Sequence, residues 1–411
     1  VLEACMQQAE QDGSALLIES TSNQVNQFGG YTGMSPGAFR ENLLDIARTM
    51  GFPKERIILG GDHLGPNPWQ AEAESSAMEK ARQLIRACVE AGYVKLHLDA
   101  SMRLRDDNPD QPLDRRLAAR RAAELCQVAE ETCRDRLGIH APVYVIGTEV
   151  PPPGGALEKG RSPQPTRVEE AQETSELTHK AFLERGLDEA WERVLALVVQ
   201  PGVEFADQEV YVYDRADAAP LVRFIHGFPG LVYEAHSTDY QTRQALKQMV
   251  EDRFAILKVG PGLTFAFREA VFALAMIEEE WLAGRSGVQL SGLIRVVDAA
   301  MQRDPRYWQA YYRGEDVDAN FARKYSYSDR IRYYWPDPGV KRALSQLLYN
   351  LEQYPVPLTL ISQFMPGQYQ RLRAGQLGRH PIQWIYDRIR EVTQDYAWAC
   401  DPTNSTLGEQ K

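Results

Sequence analysis

The chain has 411 residues, 44% of them hydrophobic and 25% charged, with a formal net charge of -11. That length holds two average domains, or one large α/β barrel with an extension. The acidic balance excludes a nucleic-acid partner, since no basic excess neutralises phosphates, and no apolar run approaches a membrane span or a secretory signal.

Residues 1–11 read as a helix already under way, with Leu2, Cys5, Met6 and Ala9 on one face. An alternation follows. Short apolar, β-rich runs lie at 15–19, 57–60, 93–98, 142–147, 196–199, 231–235 and 254–259. Helical patterns lie between and after them at 35–50, 72–91, 115–137, 167–185, 216–226, 241–252 and 264–283. Continuous apolar strands separated by helices predict a parallel sheet covered on both faces. The fold class is α/β, a (β/α)8 TIM barrel in which seven strands are legible. The first strand is expected to precede Val1, because the chain starts inside a helix; the alternative is that Leu358–Phe364 supplies it.

The polar loop 108–113 and the Pro- and Gly-rich loop 151–165 have the lengths of site walls or lids. Beyond Arg285 the alternation stops, and helical patterns continue at 287–302, 307–312, 317–325 and 340–354. The expected organisation is a barrel over 1–284, a helical extension packed on it over 285–400, and a polar tail over 401–411. Five scattered cysteines without CxxC spacing fit a reducing cytoplasm better than a disulfide framework.

The strand ends are polar. The first ends in Glu19-Ser20-Thr21-Ser22-Asn23-Gln24 and the second in Asp62-His63, followed by the turn Leu64-Gly65-Pro66. The next three end in Asp99-Ala100-Ser101, Thr148-Glu149 and Gln200-Pro201-Gly202-Val203-Glu204. The last two end in His236-Ser237-Thr238 and Gly260-Pro261-Gly262. Polar groups gathered on the carboxyl rim of a barrel mark its site, because desolvating them for packing alone is costly. His63, His236, Glu149 and Glu204 together suit a divalent metal, Zn²⁺ first, with Mn²⁺ or Co²⁺ as alternatives. Taken singly, each is an ordinary solvated Glu or a packed His. Strand alternation leaves His97 with packing as its default.

Several stretches resemble the GatZ/KbaZ family: Glu19-Ser20-Thr21-Ser22-Asn23-Gln24-Val25-Asn26-Gln27, residues 60–69, Leu98-Asp99-Ala100-Ser101 and Gly147-Thr148-Glu149-Val150-Pro151. Glu234-Ala235-His236-Ser237-Thr238-Asp239-Tyr240-Gln241 and Ser328-Asp329-Arg330-Ile331-Arg332-Tyr333-Tyr334-Trp335-Pro336 do so too. The resemblance spans essentially the whole chain. The family is known as the non-catalytic subunit of class II tagatose-bisphosphate aldolase, with an older label of tagatose 6-phosphate kinase; it normally carries a strand before the position of Val1.

A more distant resemblance to the catalytic class II aldolases implies roles. Asp62 resembles their proton carrier, His63 and His236 their metal-binding histidines, Glu149 their active-site Glu, and the segment of Asp99 and Ser101 their Ile-Asp-Gly-Ser. Glu204 stands where those enzymes present a His ligand, and Ser237-Thr238-Asp239 replaces a Gly-rich phosphate loop, which counts against a bisphosphate substrate.

These implications lead to a stand-alone, metal-dependent ketose or ketose-phosphate C4 epimerase of the retro-aldol type, acting for example on fructose 6-phosphate. Asp62, Glu149 and Asp99 would be its catalytic groups. Glu19, Ser20, Asn23, Gln24, Gln27, Ser101, Ser237, Lys258, Arg330 and Arg332 would contact the sugar or its phosphate, Arg103 being more ordinary. The alternative is a non-catalytic partner that stabilises an aldolase catalytic subunit, and a homo-oligomer is a further expectation. A kinase is poorly supported, because no Gly-x-x-x-x-Gly-Lys-Ser/Thr loop occurs.

Overall fold

Seven short parallel strands pair side by side in the computed structural model, which describes residues 1–135, 140–147, 163–312 and 316–404. They are β1 (Leu16–Thr21), β2 (Ile57–Leu64), β3 (Lys95–Leu98), β4 (Val143–Ile146), β5 (Val194–Val198), β8 (Val232–Ala235) and β9 (Phe254–Leu257), paired in that order. Between β5 and β8 a small antiparallel ribbon, β6 (Glu204–Phe205) with β7 (Val210–Tyr211), stands apart from the main sheet.

Helices α1 (Leu2–Asp12), α2 (Pro36–Met50), α3 (Glu74–Glu90), α4 (Arg115–Arg134), α5 (Val168–Leu183), the short α6 (Asp188–Trp191), α7 (Arg215–Ile225) and α8 (Arg243–Glu251) alternate with the strands. Their boundaries follow local chemistry. Ser35 accepts the Ala38 N–H at 3.3 Å ahead of Pro36, and Gly51 closes α2 at a φ of 69° that costs a glycine nothing. Strand residues such as Ile18, Leu59, Leu96 and Leu197 pack outward against helix residues such as Leu43, Leu84, Leu125 and Phe182. Val145, Ala196 and Val198 face inward with Val232 and Ile256.

The sheet curls on itself, since side chains of β1, β3 and β8 meet inside it. Among the described residues no strand joins β1 to β9, which are its two edges. The seven legible strands are thus present as a curled parallel sheet of the expected α/β class. Leu358–Phe364 does not supply an eighth strand. It is a helix behind Pro357 with Ile361 fully buried.

After β9 the long α9 (Pro261–Leu282) begins a second apolar cluster with α10 (Leu293–Arg303), α11 (Asp316–Tyr325), α12 (Pro338–Gln353), α13 (Leu358–Phe364), α14 (Pro366–Arg373) and α15 (Pro381–Cys400). Helix α15 packs against α1, α8 and α9, and its Tyr396 hydroxyl donates to the Thr238 carbonyl at 2.8 Å. The end of the chain thus buttresses the loop after β8. No helix among the described residues is long and apolar enough to cross a membrane.

Candidate metal centre

Each strand offers the interior only alternate side chains. From β3 these are Lys95 and His97, followed by Asp99; from β8, Glu234 followed by His236; from β1, Glu19. On β2 the neighbours Asp62 and His63 would ordinarily point to opposite faces. The pairing with β3 slips register between Gly61 and Leu64, and His63 takes a left-handed φ of 50°, which is strained for a residue with a Cβ. Both side chains consequently turn inward. Gly60 makes room beside them, since a Cβ there would lie 2.8 Å from Glu19 Oε1.

The groups form one buried network. His97 Nδ1 lies 2.9 Å from Asp62 Oδ1, His63 Nδ1 2.8 Å from Asp99 Oδ2, and His236 Nε2 3.0 Å from Glu234 Oε1. The rings of His63, His97 and His236 sit with centroids 5.0 to 5.4 Å apart. Two lysines thread the carboxylates. Lys95 Nζ lies 2.5 Å from Glu19 Oε1 and 2.5 Å from Glu234 Oε2. Lys258 Nζ pairs with Glu19, and lies 3.2 Å from Asp62 Oδ1 and 3.9 Å from Glu234 Oε1.

Electrostatics follow from that crowding. Burial opposes ionisation of Asp62, but His63, His236 and His97 outweigh it and hold the carboxyl well below its usual range. Burial likewise opposes charge on His63, yet Asp62 and the Asp99 hydrogen bond raise its pKa to about 9. At His236 burial wins, and its pKa falls. Burial also lowers Lys258 well below the usual lysine range.

Asp62, His97, Glu234 and His236 each present one donor atom, all within 4.8 Å of one another. His97 Nε2 is buried without a hydrogen-bond partner. Two imidazoles, one of them with an orphaned ring nitrogen, and two carboxylates fit a divalent cation.

This donor set differs from the expected one. His63 is turned onto Asp99 and lies outside the group, because the left-handed kink that brings it inward aims its ring at the end of β3. Glu204 is also outside. It sits in the β6–β7 ribbon, where its carboxylate accepts its neighbour Phe205's N–H at 3.0 Å and bonds Ser237, and burial raises its pKa to about 7. Glu149 falls outside the described residues. His97 and Glu234 enter instead. His97 shares a strand face with Lys95 and Asp99, so alternation places it inside rather than in packing; Glu234 lies two residues before His236 on that residue's face.

The expected sugar contacts scatter. Glu19 and Lys258 lie in the network, and Ser101 donates to Asp99 Oδ1 at 2.5 Å. Ser20 turns to the far side of β1, where its hydroxyl meets that of Tyr93 at 2.8 Å. Asn23 and Gln24 hold the following turn through their carbonyls, and Gln27 donates to the Lys80 carbonyl. Arg330 lies over the Tyr311 ring and donates to the Tyr307 carbonyl, while Arg332 donates to the carbonyls of Ser328 and Asp329. Arg103 is engaged by the carbonyls of Pro109 and Gln111.

Residues 1–401 match the family described as D-tagatose-1,6-bisphosphate aldolase subunit GatZ/KbaZ-like. A protein of Klebsiella pneumoniae subsp. pneumoniae named D-tagatose-1,6-bisphosphate aldolase subunit GatZ is 51% identical over 400 residues, covering 97% of this chain and 93% of that protein. One of the same name from Salmonella heidelberg is 50% identical over 402 residues, covering 98% and 93%. The crystal structure of a probable tagatose 6 phosphate kinase from Sinorhizobium meliloti 1021 superposes with a TM-score of 0.87 at 44% identity, covering 97% of each chain.

These relatives correct the expectation of a stand-alone C4 epimerase, and with it that of an enzyme. Proteins half identical over nearly the whole length are named as a subunit of an aldolase. The polar strand ends that motivated the epimerase are engaged with one another and with two lysines, so their presence does not by itself require turnover.

Proposed function

The chain belongs to the GatZ/KbaZ-like family of D-tagatose-1,6-bisphosphate aldolase subunits, and from that membership we propose that it is a non-catalytic partner stabilising the catalytic chain of a class II tagatose-1,6-bisphosphate aldolase. The observation that carries this reading is the 50–51% identity to subunits of that name across 97–98% of the chain. The surface supports it. Val317, Phe321 and Tyr325 stand at four-residue spacing along α11 and are 75%, 44% and 42% exposed, an apolar stripe suited to a protein partner. Co-purification with a tagged class II tagatose-bisphosphate aldolase tests the association. A stoichiometric complex on size exclusion is expected, and two separate peaks at micromolar concentration would refute it.

The donor group is read as a site for a divalent ion held by Asp62, His97, Glu234 and His236, with Zn²⁺ favoured by the two imidazoles and Mn²⁺ or Co²⁺ compatible with the carboxylates. Such an ion would offset the buried carboxylates and polarise an oxygen ligand. Around it, Asp99 orients His63, Lys95 ties β3 to β1 and β8, and Glu19 holds both lysines.

A further inference from the structure

The four donors already have a cation among them. Lys258 Nζ lies 3.2 Å from Asp62 Oδ1 and 3.9 Å from Glu234 Oε1, the oxygens that His97 and His236 also approach, at 2.9 and 3.0 Å. Lys95 does not intrude in this way. Its ammonium lies on the opposite oxygen of Glu234, Oε2, and on Glu19 Oε1. The two lysines therefore differ in kind: one clamps strands together, and the other points its charge at the centre of the donor group.

We propose that the Lys258 ammonium and a divalent metal ion are alternative occupants of this one site, metal entering only as Lys258 withdraws from Asp62. The proposal rests on the metal reading given above and specifies how that site is regulated. The Lys258 amine and a metal ion would claim the same Asp62 oxygen in one buried pocket, and whenever the amine carries its proton the two charges also repel. Glu19 supplies the second seat. It already pairs with Lys258, so the side chain can rotate off Asp62 and keep a carboxylate partner. Lysine suits such a part, because its ammonium is a compact charge on a flexible four-carbon stem. Asp62 stays paired in either state, with Lys258 in one and with metal in the other, which avoids a buried uncompensated charge. It follows that the wild-type chain holds metal weakly and exchangeably.

The test is metal affinity, independent of any catalysis. Zn²⁺ and Mn²⁺ are titrated into metal-stripped protein against a chromophoric chelator at one neutral pH, for the wild type, Lys258→Met, Lys258→Gln and His236→Asn. The glutamine variant keeps a hydrogen bond to Glu19 in case the methionine variant folds poorly, and circular dichroism checks each. Both Lys258 variants are expected to bind one equivalent at least roughly tenfold tighter than the wild type, and His236→Asn to lose binding. Unchanged or weaker binding in folded Lys258 variants, with His236→Asn still defective, overturns the competition and leaves the metal site standing. No saturable binding in any of the four proteins overturns the metal site and the competition together.

Discussion

Lys95 on β3 reaches Glu234 on β8, Nζ to Oε2 at 2.5 Å, although β4 and β5 lie between those strands in the sheet. Only a curled sheet brings them together, and Glu19 on β1 completes the bridge at 2.5 Å. Removing the cation leaves Glu234 Oε2 without its partner in a buried interior and Glu19 with Lys258 alone. Lys95→Met should cost about 3–5 kcal/mol of stability, read as a lower urea midpoint; a midpoint equal to the wild type would mean that the bridge is incidental.

Gly65 lies where β2 runs out beside the end of β3. A Cβ on it would lie 1.7 Å from the Asp99 carbonyl oxygen, a backbone atom with no freedom to move aside. Gly65→Ala should therefore push the ends of β2 and β3 apart and displace Asp99 from His63. The expected result is little soluble protein, and normal yield with an unshifted melting temperature would contradict this packing.

Glu204 carries a pH dependence of stability. Burial raises its carboxyl from 4.5 to about 7 in the folded chain, so the folded state holds the proton more tightly than the unfolded state. Its contribution is fully present below the unfolded value and is lost as pH rises through about 7. Glu204→Gln mimics the protonated form, and it should exceed the wild type at mildly alkaline pH by on the order of 2–3 kcal/mol. The two should converge in mild acid. Parallel stability curves across that range would show that Glu204 is not protonated when folded.

The apolar stripe on α11 should matter to association more than to folding. Phe321→Asp places a charge on a side chain that is 44% exposed, so the melting temperature should move little. Loss of the complex with the aldolase chain is expected on size exclusion, whereas an intact complex would place the interface elsewhere.

All seven parallel strands are legible in the sequence because each is a short apolar run bounded by turn chemistry. Helix α15 is not. Its buried Pro381, Trp384, Ile385 and Ile389 keep helical spacing, but the buried Asp387 among them and the gap before Ala399 blur its bounds. In the candidate site, Asp62 and His236 are legible as strand-end groups. His97 and Glu234 lie one turn of the pleat deeper, and their signal is polarity repeated every second residue, as in Lys95-Leu96-His97-Leu98-Asp99. The exchange of His63 for His97 in the donor group depends on a register slip in β2 and a left-handed residue, which no residue pattern announces. Function is legible only through resemblance. Acids and histidines on a barrel rim look alike whether they turn over a substrate or hold an ion network.

The central claim, that this chain stabilises an aldolase without catalysing the reaction, is tested most directly by the decay of aldolase activity. A class II tagatose-bisphosphate aldolase chain is incubated at growth temperature alone, with an equimolar amount of this protein, or with equimolar albumin, and tagatose 1,6-bisphosphate cleavage is followed over hours. The account predicts a longer half-life only with this protein, and no cleavage by this protein alone. An unchanged half-life, or cleavage by the isolated chain, would contradict it.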